Sequence, residues 1–181
     1  AFGAAHRAHA STVGVPQVIS ARGGQCAAGL LMERELQFLG DELEEPAKPF
    51  VVILGGAKVS DKIGLIRSLL SRADHIIIGG AMAYTLLQAQ GKHIGRSLVE
   101  QEKVEEAKAI LTLAAKQDVA IHLPRDHVIV AELKINVPSS VTSGVDVPSD
   151  RLGVDIGPRT ADAFRTVVQS ARTVLWNGPM G

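Results

Sequence analysis

Short apolar runs alternate along this chain with segments whose apolar residues recur every three to four positions. The run Phe50–Leu54 is rich in β-branched residues and ends in a glycine pair, as is typical of a buried strand before a tight turn. Residues 60–72 then place their apolar side chains at helical spacing. The same alternation predicts strands at His75–Ile78, 119–123, 127–133 and 173–176, and helices at 81–90, 100–116 and 159–171. Strands that are apolar on both faces and separated by helices predict an α/β fold: a Rossmann-like parallel sheet with helices on both faces, in three layers (α/β/α).

Two stretches interrupt this alternation. Residues 134–150 are rich in proline, serine and glycine, which predicts a loop or a small antiparallel excursion. Residues 23–39 contain a leucine-rich helix, and the acidic, proline-containing residues 41–49 predict a linker. We therefore divide the chain into residues 1–20, which belong to a different unit, a helix and linker at 21–49, and the main α/β domain at 50–181.

The two ends of the sequence do not resemble natural termini. The chain opens on Ala1 rather than methionine, and it stops directly after the turn-like residues 176–179. We expect a piece of a longer protein, with the α/β fold incomplete at both ends.

Composition excludes several classes of partner. The 19 Lys and Arg residues balance the 19 Asp and Glu residues, so no net field favours nucleic acid or an anionic membrane. Aromatic residues make up only 3% of the chain, too few for a base-stacking surface. The single cysteine, Cys26, rules out an internal disulfide, and the longest apolar runs are far shorter than a membrane span.

Three predicted strands end in glycine-rich turns. These turns are Gly55-Gly56-Ala57-Lys58, Gly79-Gly80-Ala81 and Gly178 within the last five residues. Ligands of open α/β sheets bind beyond the carboxyl ends of the strands, and glycine lets them approach backbone amides. Convergence of three such turns predicts a ligand site, although each alone is also explained as a plain tight turn.

Two lysines flank the first of these turns. With Ser60 as the predicted N-cap, Lys62 falls in the first turn of the following helix and Lys58 just before it. Cations oppose the helix dipole there, so an anion such as phosphate would explain them; Asp61 or solvent could equally absorb the charge. The segment matches neither a Walker A loop nor a dinucleotide fingerprint.

Other polar residues give weaker signals. The string His6-Arg7-Ala8-His9 offers donors for a carboxylate or phosphate, but it is also consistent with an ordinary surface. Asp126 and Asp155 lie at predicted strand ends, where metal or ribose contacts occur. Glu100 and its acidic neighbours are assigned to the solvated start of a helix. No spacing of histidine or cysteine predicts a metal site.

Several of these segments together resemble the phosphoglycerate kinase family. Six motifs are similar to those of the family and occur in its order: AFGAAHRAHAS at 1–11, LGGAKVSDKI at 54–63, IGGAMAYT at 78–85, LPRD at 123–126, DIGP at 155–158 and LWNGPMG at 175–181. The resemblance extends from end to end of this chain, yet covers less than half of the family's length.

The resemblance implies a phosphotransferase with a carboxyl group as acceptor. It transfers a phosphoryl group between 1,3-bisphosphoglycerate and ADP, with Mg²⁺, giving 3-phosphoglycerate and ATP, in glycolysis or carbon fixation. Residues 1–20 would close the N-terminal phosphoglycerate-binding domain, 21–49 would form the interdomain helix and linker, and 50–181 most of the nucleotide-binding C-terminal domain. A cytoplasmic or plastid monomer that binds neither nucleic acid nor membrane is expected.

The resemblance also assigns roles to residues, with Lys58 and Arg7 as the expected catalytic residues. Arg7 with His6 would hold phosphoglycerate, Lys58 would stabilise the phosphoryl group in transfer, and Lys62 would hold nucleotide phosphates. Nucleotide contacts are further expected from the turn residues Gly55 and Ala57, from Gly79, Gly80, Gly153, Val154 and Met180 around adenine, and from Asn177 and Pro179 near ribose and phosphate. No metal ligand is expected within the chain.

Three interpretations remain open from the sequence. The chain is part of an active kinase, or a fragment that binds nucleotide without catalysis, or a structural α/β module with ordinary glycine turns.

Overall fold

A computed structural model describes residues 2–181. They divide into two compact units, the first ending at Pro46 and the second spanning Ala47–Gly181. The first unit is helical: a 3₁₀ turn at Phe2–Ala4, a π-helical turn at Ala10–Gly14, α1 at Val15–Ala21, α2 at Leu30–Leu36, a π-helical turn at Gln37–Asp41 and α3 at Glu42–Glu44. Its large apolar side chains, including Leu30 and Leu36, are exposed, so the described part of this unit has no buried core.

The second unit is built on a four-stranded parallel sheet. Its strands are β1 (Phe50–Leu54), β2 (His75–Ile78), β3 (Ala120–His122) and β7 (Thr173–Asn177), in the order β3-β2-β1-β7. Both neighbours of β1 run parallel to it, and all five of its residues are buried. This central, wholly apolar strand explains why its sequence shows a continuous run rather than alternation.

Helices cover the sheet on both sides. They are α4 (Ile63–Leu69), α5 (Met82–Ala89), α6 (Val104–Lys116, after a 3₁₀ turn at Gln101–Lys103) and α7 (Pro158–Ser170). Phe164 of α7 packs against Val51, Ile53 and Ile77 on one face. The alternate strand residues, such as Val52 and Leu54, point to the other face and are fully buried, like Ile66, Leu86 and Ile110 of the remaining helices. The predicted parallel α/β fold with helices on both faces is confirmed.

A second, antiparallel sheet corrects part of that prediction. It contains β4 (His127–Val130), β5 (Ser140–Val141) and β6 (Leu152–Ile156), in the order β5-β4-β6. The apolar run at 127–133 is therefore not a strand of the parallel sheet, whereas the predicted antiparallel excursion within 134–150 is confirmed by β5. Strand β6 is not predicted from the sequence, because Gly153 and Asp155 interrupt its apolar pattern.

No helix in the described residues is long and apolar enough to cross a membrane.

Candidate functional site

The glycine-rich turns after β1, β2 and β7 lie side by side at one edge of the parallel sheet. Gly55 N–H donates to the Asn177 carbonyl at 2.9 Å, and Gly79 N–H donates to the Leu54 carbonyl at 2.9 Å. Gly80 N–H donates to the Met180 carbonyl at 2.7 Å. Three turns that the sequence places far apart therefore form one hydrogen-bonded surface.

Close backbone packing explains the glycines in these turns. Gly80 has a φ of +67°, and a Cβ there would lie 2.5 Å from the Gly56 carbonyl oxygen. A Cβ on Gly55 would collide with the Pro179 carbonyl, and one on Gly79 with the Met180 side chain. Backbone packing thus requires glycine at positions 55 and 80, whereas at position 79 the end of the flexible Met180 side chain can move aside; the evidence for a ligand comes from the cavity above the turns.

A cleft of about 250 Å³ opens over the turns. Six of the predicted site residues line it: Ala57, Gly80, Gly153, Val154, Pro179 and Met180. The others of the second unit, Gly55, Lys58, Lys62, Gly79 and Asn177, lie in the adjoining turns rather than in the wall. The remaining wall is mainly apolar and includes Tyr84, Leu98, Leu152 and Ile156.

Tyr84 and His127 form an uncharged part of this wall. The His127 Nε2 lies 3.0 Å from the Val145 carbonyl, which can only accept, so Nε2 carries the proton and Nδ1 accepts from the Tyr84 hydroxyl at 3.3 Å. Burial lowers the pKa of His127 and raises that of Tyr84, which the nearby Asp155 raises further. Both side chains are therefore neutral at pH 7. A Cβ on Gly153 would collide with the Tyr84 hydroxyl, so glycine is required where β6 passes this pair.

The lysine-bearing turn differs from its prediction. Helix α4 begins at Ile63 with Lys62 in the N-cap position, so the predicted N-cap at Ser60 is wrong. The Lys62 ammonium donates to Asn177 Oδ1 at the end of β7, which brings these two predicted site residues together. Lys58 lies exposed in the same turn.

Ser60 is instead bonded to Glu100. The Glu100 carboxylate accepts from Ser60 N–H at 2.9 Å and from the Ser60 hydroxyl at 2.6 Å. Glu100 also precedes the 3₁₀ turn that leads into α6. The assignment of Glu100 to a solvated helix start is therefore wrong: its carboxylate closes the turn beside the cleft.

The two strand-end acids have different surroundings. Asp126 is fully buried, and its carboxylate accepts from the backbone N–H groups of Arg159 and Thr160 at 3.0 and 2.8 Å, at the start of α7. It caps that helix, so the metal or ribose contact predicted for it is wrong. Asp155 lines the cleft, where Oδ1 accepts from Ile156 N–H at 2.7 Å. Within residues 2–181, no group of three or more His, Cys, Asp or Glu side chains could hold a metal ion.

His6 and Arg7 lie in the first unit, where both are exposed. Arg7 Nε donates to His6 Nε2 at 3.1 Å, so the two side chains are mutually oriented. Their predicted contact with phosphoglycerate stays a prediction.

Sequence reasoning missed the apolar part of the wall. Tyr84, Leu98 and Leu152 had no feature that separates a cleft residue from a core residue. The one available signal was the position of Tyr84, which follows the glycine pair at the end of β2 by four residues.

The chain was compared with known proteins. The family model described as phosphoglycerate kinase matches residues 1–181. The phosphoglycerate kinase of Lactobacillus delbrueckii subsp. lactis is 54% identical over 181 residues, and that of Chlorobium chlorochromatii is 50% identical. All of this chain is aligned in both cases, but it spans only 44% and 45% of those relatives.

Two solved structures share the fold. Phosphoglycerate kinase from Coxiella burnetii has a TM-score of 0.81 and 39% identity, over 85% of this chain and 40% of that one. The enzyme from Pyrococcus horikoshii OT3 has a TM-score of 0.73 and 28% identity, over 100% of this chain and 45% of that one. The family model covers every residue, and sequence and fold agree with it: the chain belongs to the phosphoglycerate kinase family.

Proposed function

We propose that this chain supplies the nucleotide side of phosphoryl transfer between 1,3-bisphosphoglycerate and ADP, which gives 3-phosphoglycerate and ATP. The observation that supports this best is a mainly apolar cleft, with Asp155 the acidic residue of its lining, next to a turn with two lysines. A base and a polyphosphate need these two environments side by side. The membership of the family supports the same reaction.

The cleft suits the base. Gly80, Gly153, Val154 and Met180 border it, and Gly79 packs beneath Met180. The Tyr84–His127 pair is neutral and adds no charge to this wall. An uncharged adenine can therefore pack against the pair without removing a charged group from water. We assign these residues to the adenine.

The lysine turn suits the phosphates. One N–H of the Lys62 ammonium donates to Asn177, which leaves two donors for phosphate oxygens. Lys58 is exposed at the other end of the turn. Its assigned role is to stabilise the negative charge on the phosphoryl group during transfer. Gly55 and Ala57 shape the backbone between them, and Pro179 borders the ribose.

The other participants follow from the reaction. Mg²⁺ is proposed to be bound with the nucleotide through phosphate oxygens, and the described residues offer no group of three protein ligands for it. Arg7 and His6 are assigned to phosphoglycerate. A cytoplasmic monomer acting in glycolysis or carbon fixation is proposed for the whole protein.

Calorimetric titration with MgADP tests this proposal. We expect the parent chain to bind MgADP, and Lys62→Ala to weaken binding about tenfold, since a hydrogen bond between charged groups contributes about 1.5–3 kcal/mol. The matched control is Lys108→Ala, an exposed lysine of α6 that does not line the cleft, and it should bind as the parent does. A Lys62→Ala variant that binds as tightly as the parent would contradict the phosphate assignment.

Close packing of the glycine turns supports a second candidate, a structural α/β module, because it explains those glycines without any ligand. Absence of MgADP binding in the same titration would favour it.

A further inference from the structure

The Glu100 carboxylate fixes the backbone between the two lysines of the phosphate-facing turn. Besides the two hydrogen bonds from Ser60, at 2.9 and 2.6 Å, it interacts favourably with the N–H of the neighbouring Val59. These donors lie directly between Lys58 and Lys62. A side chain forty residues further along the chain therefore determines the path of this turn.

The segment that bears Glu100 is tied to the opposite wall of the cleft as well. Glu100 N–H donates to the hydroxyl of Thr85, a buried residue of α5, at 3.2 Å. Three residues earlier, the buried Ser97 hydroxyl accepts from Gly153 N–H at 2.9 Å. Residues 97–100 thus join the base wall at Gly153 to the turn at Ser60.

The charge of Glu100 makes its role open to measurement. Burial raises the pKa of this carboxyl, but the hydrogen bonds from Ser60 and Val59 and the charge of Lys58 outweigh burial and lower the pKa. The group is therefore ionised at neutral pH, and an anion close to the phosphate wall repels phosphate. By charge alone, loss of Glu100 would strengthen nucleotide binding.

We propose that Glu100 is a positioning residue, which holds the turn from Lys58 to Lys62 in the conformation that receives the nucleotide phosphates. This inference rests on the nucleotide-binding function proposed above. It predicts that loss of the carboxylate weakens phosphate binding. The effect of charge alone would be the opposite, a stronger binding of phosphate.

Calorimetry with two ligands separates positioning from general damage. For Glu100→Gln we expect MgADP to bind about tenfold more weakly, the equivalent of about 1.4 kcal/mol, while adenosine binds within about twofold of the parent. The reason is that a neutral amide oxygen accepts more weakly from Ser60 N–H than the carboxylate does, and the new NH₂ group obliges the Ser60 hydroxyl to turn and accept. A merely structural defect would weaken both ligands alike. The control is Glu102→Gln, an exposed residue two positions along, which should leave both affinities unchanged.

Hydrogen exchange provides a measurement that does not need a ligand. In Glu100→Gln the amides of Val59 and Ser60 should exchange at least about tenfold faster, with α7 unaffected. Ser60→Ala, which removes one donor only, should show a smaller change in the same direction and serves if Glu100→Gln folds poorly.

Two outcomes would overturn the inference: MgADP binding by Glu100→Gln as tight as or tighter than the parent, or unchanged exchange at Val59 and Ser60. If the parent itself binds no MgADP, the proposed function fails, and the exchange result still decides whether Glu100 positions the turn.

Discussion

Replacement of Asp126 should destabilise the second unit strongly, because this buried carboxylate joins the start of β4 to the start of α7. It accepts from Arg159 N–H, from Thr160 N–H and, at 2.5 Å, from the Thr160 hydroxyl. The backbone carbonyl of Asp126 accepts from Gly157 N–H, just beyond β6, at 2.9 Å. The side chain therefore holds the start of α7 against β4, while the backbone carbonyl holds the end of β6.

The expected cost follows from these contacts. Loss of a helix N-cap costs about 0.5–2 kcal/mol, and each hydrogen bond to a charged group contributes about 1.5–3 kcal/mol. Water that enters the space recovers part of this, so we expect Asp126→Ala to lower the free energy of unfolding by about 3–5 kcal/mol. Asp126→Asn keeps the shape and one acceptor, and should cost about 1–3 kcal/mol.

Urea unfolding followed by far-UV circular dichroism measures these differences. Asp162→Ala is the control, since this exposed aspartate on the same helix pairs with Arg165 on the surface and its loss should cost less than about 1 kcal/mol. If Asp126→Ala leaves no folded baseline, Asp126→Asn gives the comparison. The reasoning is refuted if both Asp126 variants unfold within about 1 kcal/mol of Asp162→Ala.

Four further results are expected. Gly153→Ala forces a methyl group onto the Tyr84 hydroxyl and should weaken adenosine binding in calorimetry, whereas Gly64→Ala, on an exposed helix face with open space, should raise stability by about 0.5–1 kcal/mol. For Asp74 and Asp126, burial alone raises the pKa, but their hydrogen bonds outweigh it and lower the pKa. The two carboxylates therefore stabilise the fold at pH values above the ordinary aspartate pKa of about 3.9, and this stabilisation is lost as pH falls through their lowered pKa values. The melting temperature should stay constant from pH 7 to about 5 and drop steeply below about pH 4. A melting temperature that does not change with pH would contradict this. In a coupled assay for ATP formation we expect no turnover by these 181 residues alone, because they span only 44% of a relative's length, and measurable turnover would contradict that expectation.

The parallel sheet could be predicted because each of its strands has a recognisable local sequence pattern. Val51, Val52 and Ile53 are apolar on both faces since helices cover both, and that burial produces the continuous run seen in the sequence. The smaller sheet could not be predicted in the same way. In β6 the contact with the Tyr84 hydroxyl requires glycine at position 153, and Asp155 is exposed at the cleft. These two residues interrupt the apolar pattern by which a strand is recognised.

The site was predictable only where it depends on local chemistry. Glycines at strand ends and a lysine beside them are visible in the sequence, and the structure places those turns together. The error at Ser60 has a different cause. Its hydroxyl is bonded to Glu100 rather than to the helix it precedes, and no local rule reveals a partner forty residues away. Asp126 was misassigned for the same reason, because Thr160 lies 34 residues further along.

Backbone amide mapping by NMR tests the central claim most directly. The chain, labelled with ¹⁵N, would be titrated with MgADP and with adenosine. We predict that both ligands shift the amides of Gly80, Gly153 and Val154 around the cleft, and that MgADP alone also shifts those between Lys58 and Lys62. Shifts confined to other surfaces, or no shifts at saturating MgADP, would contradict the assignment of this cleft to the nucleotide.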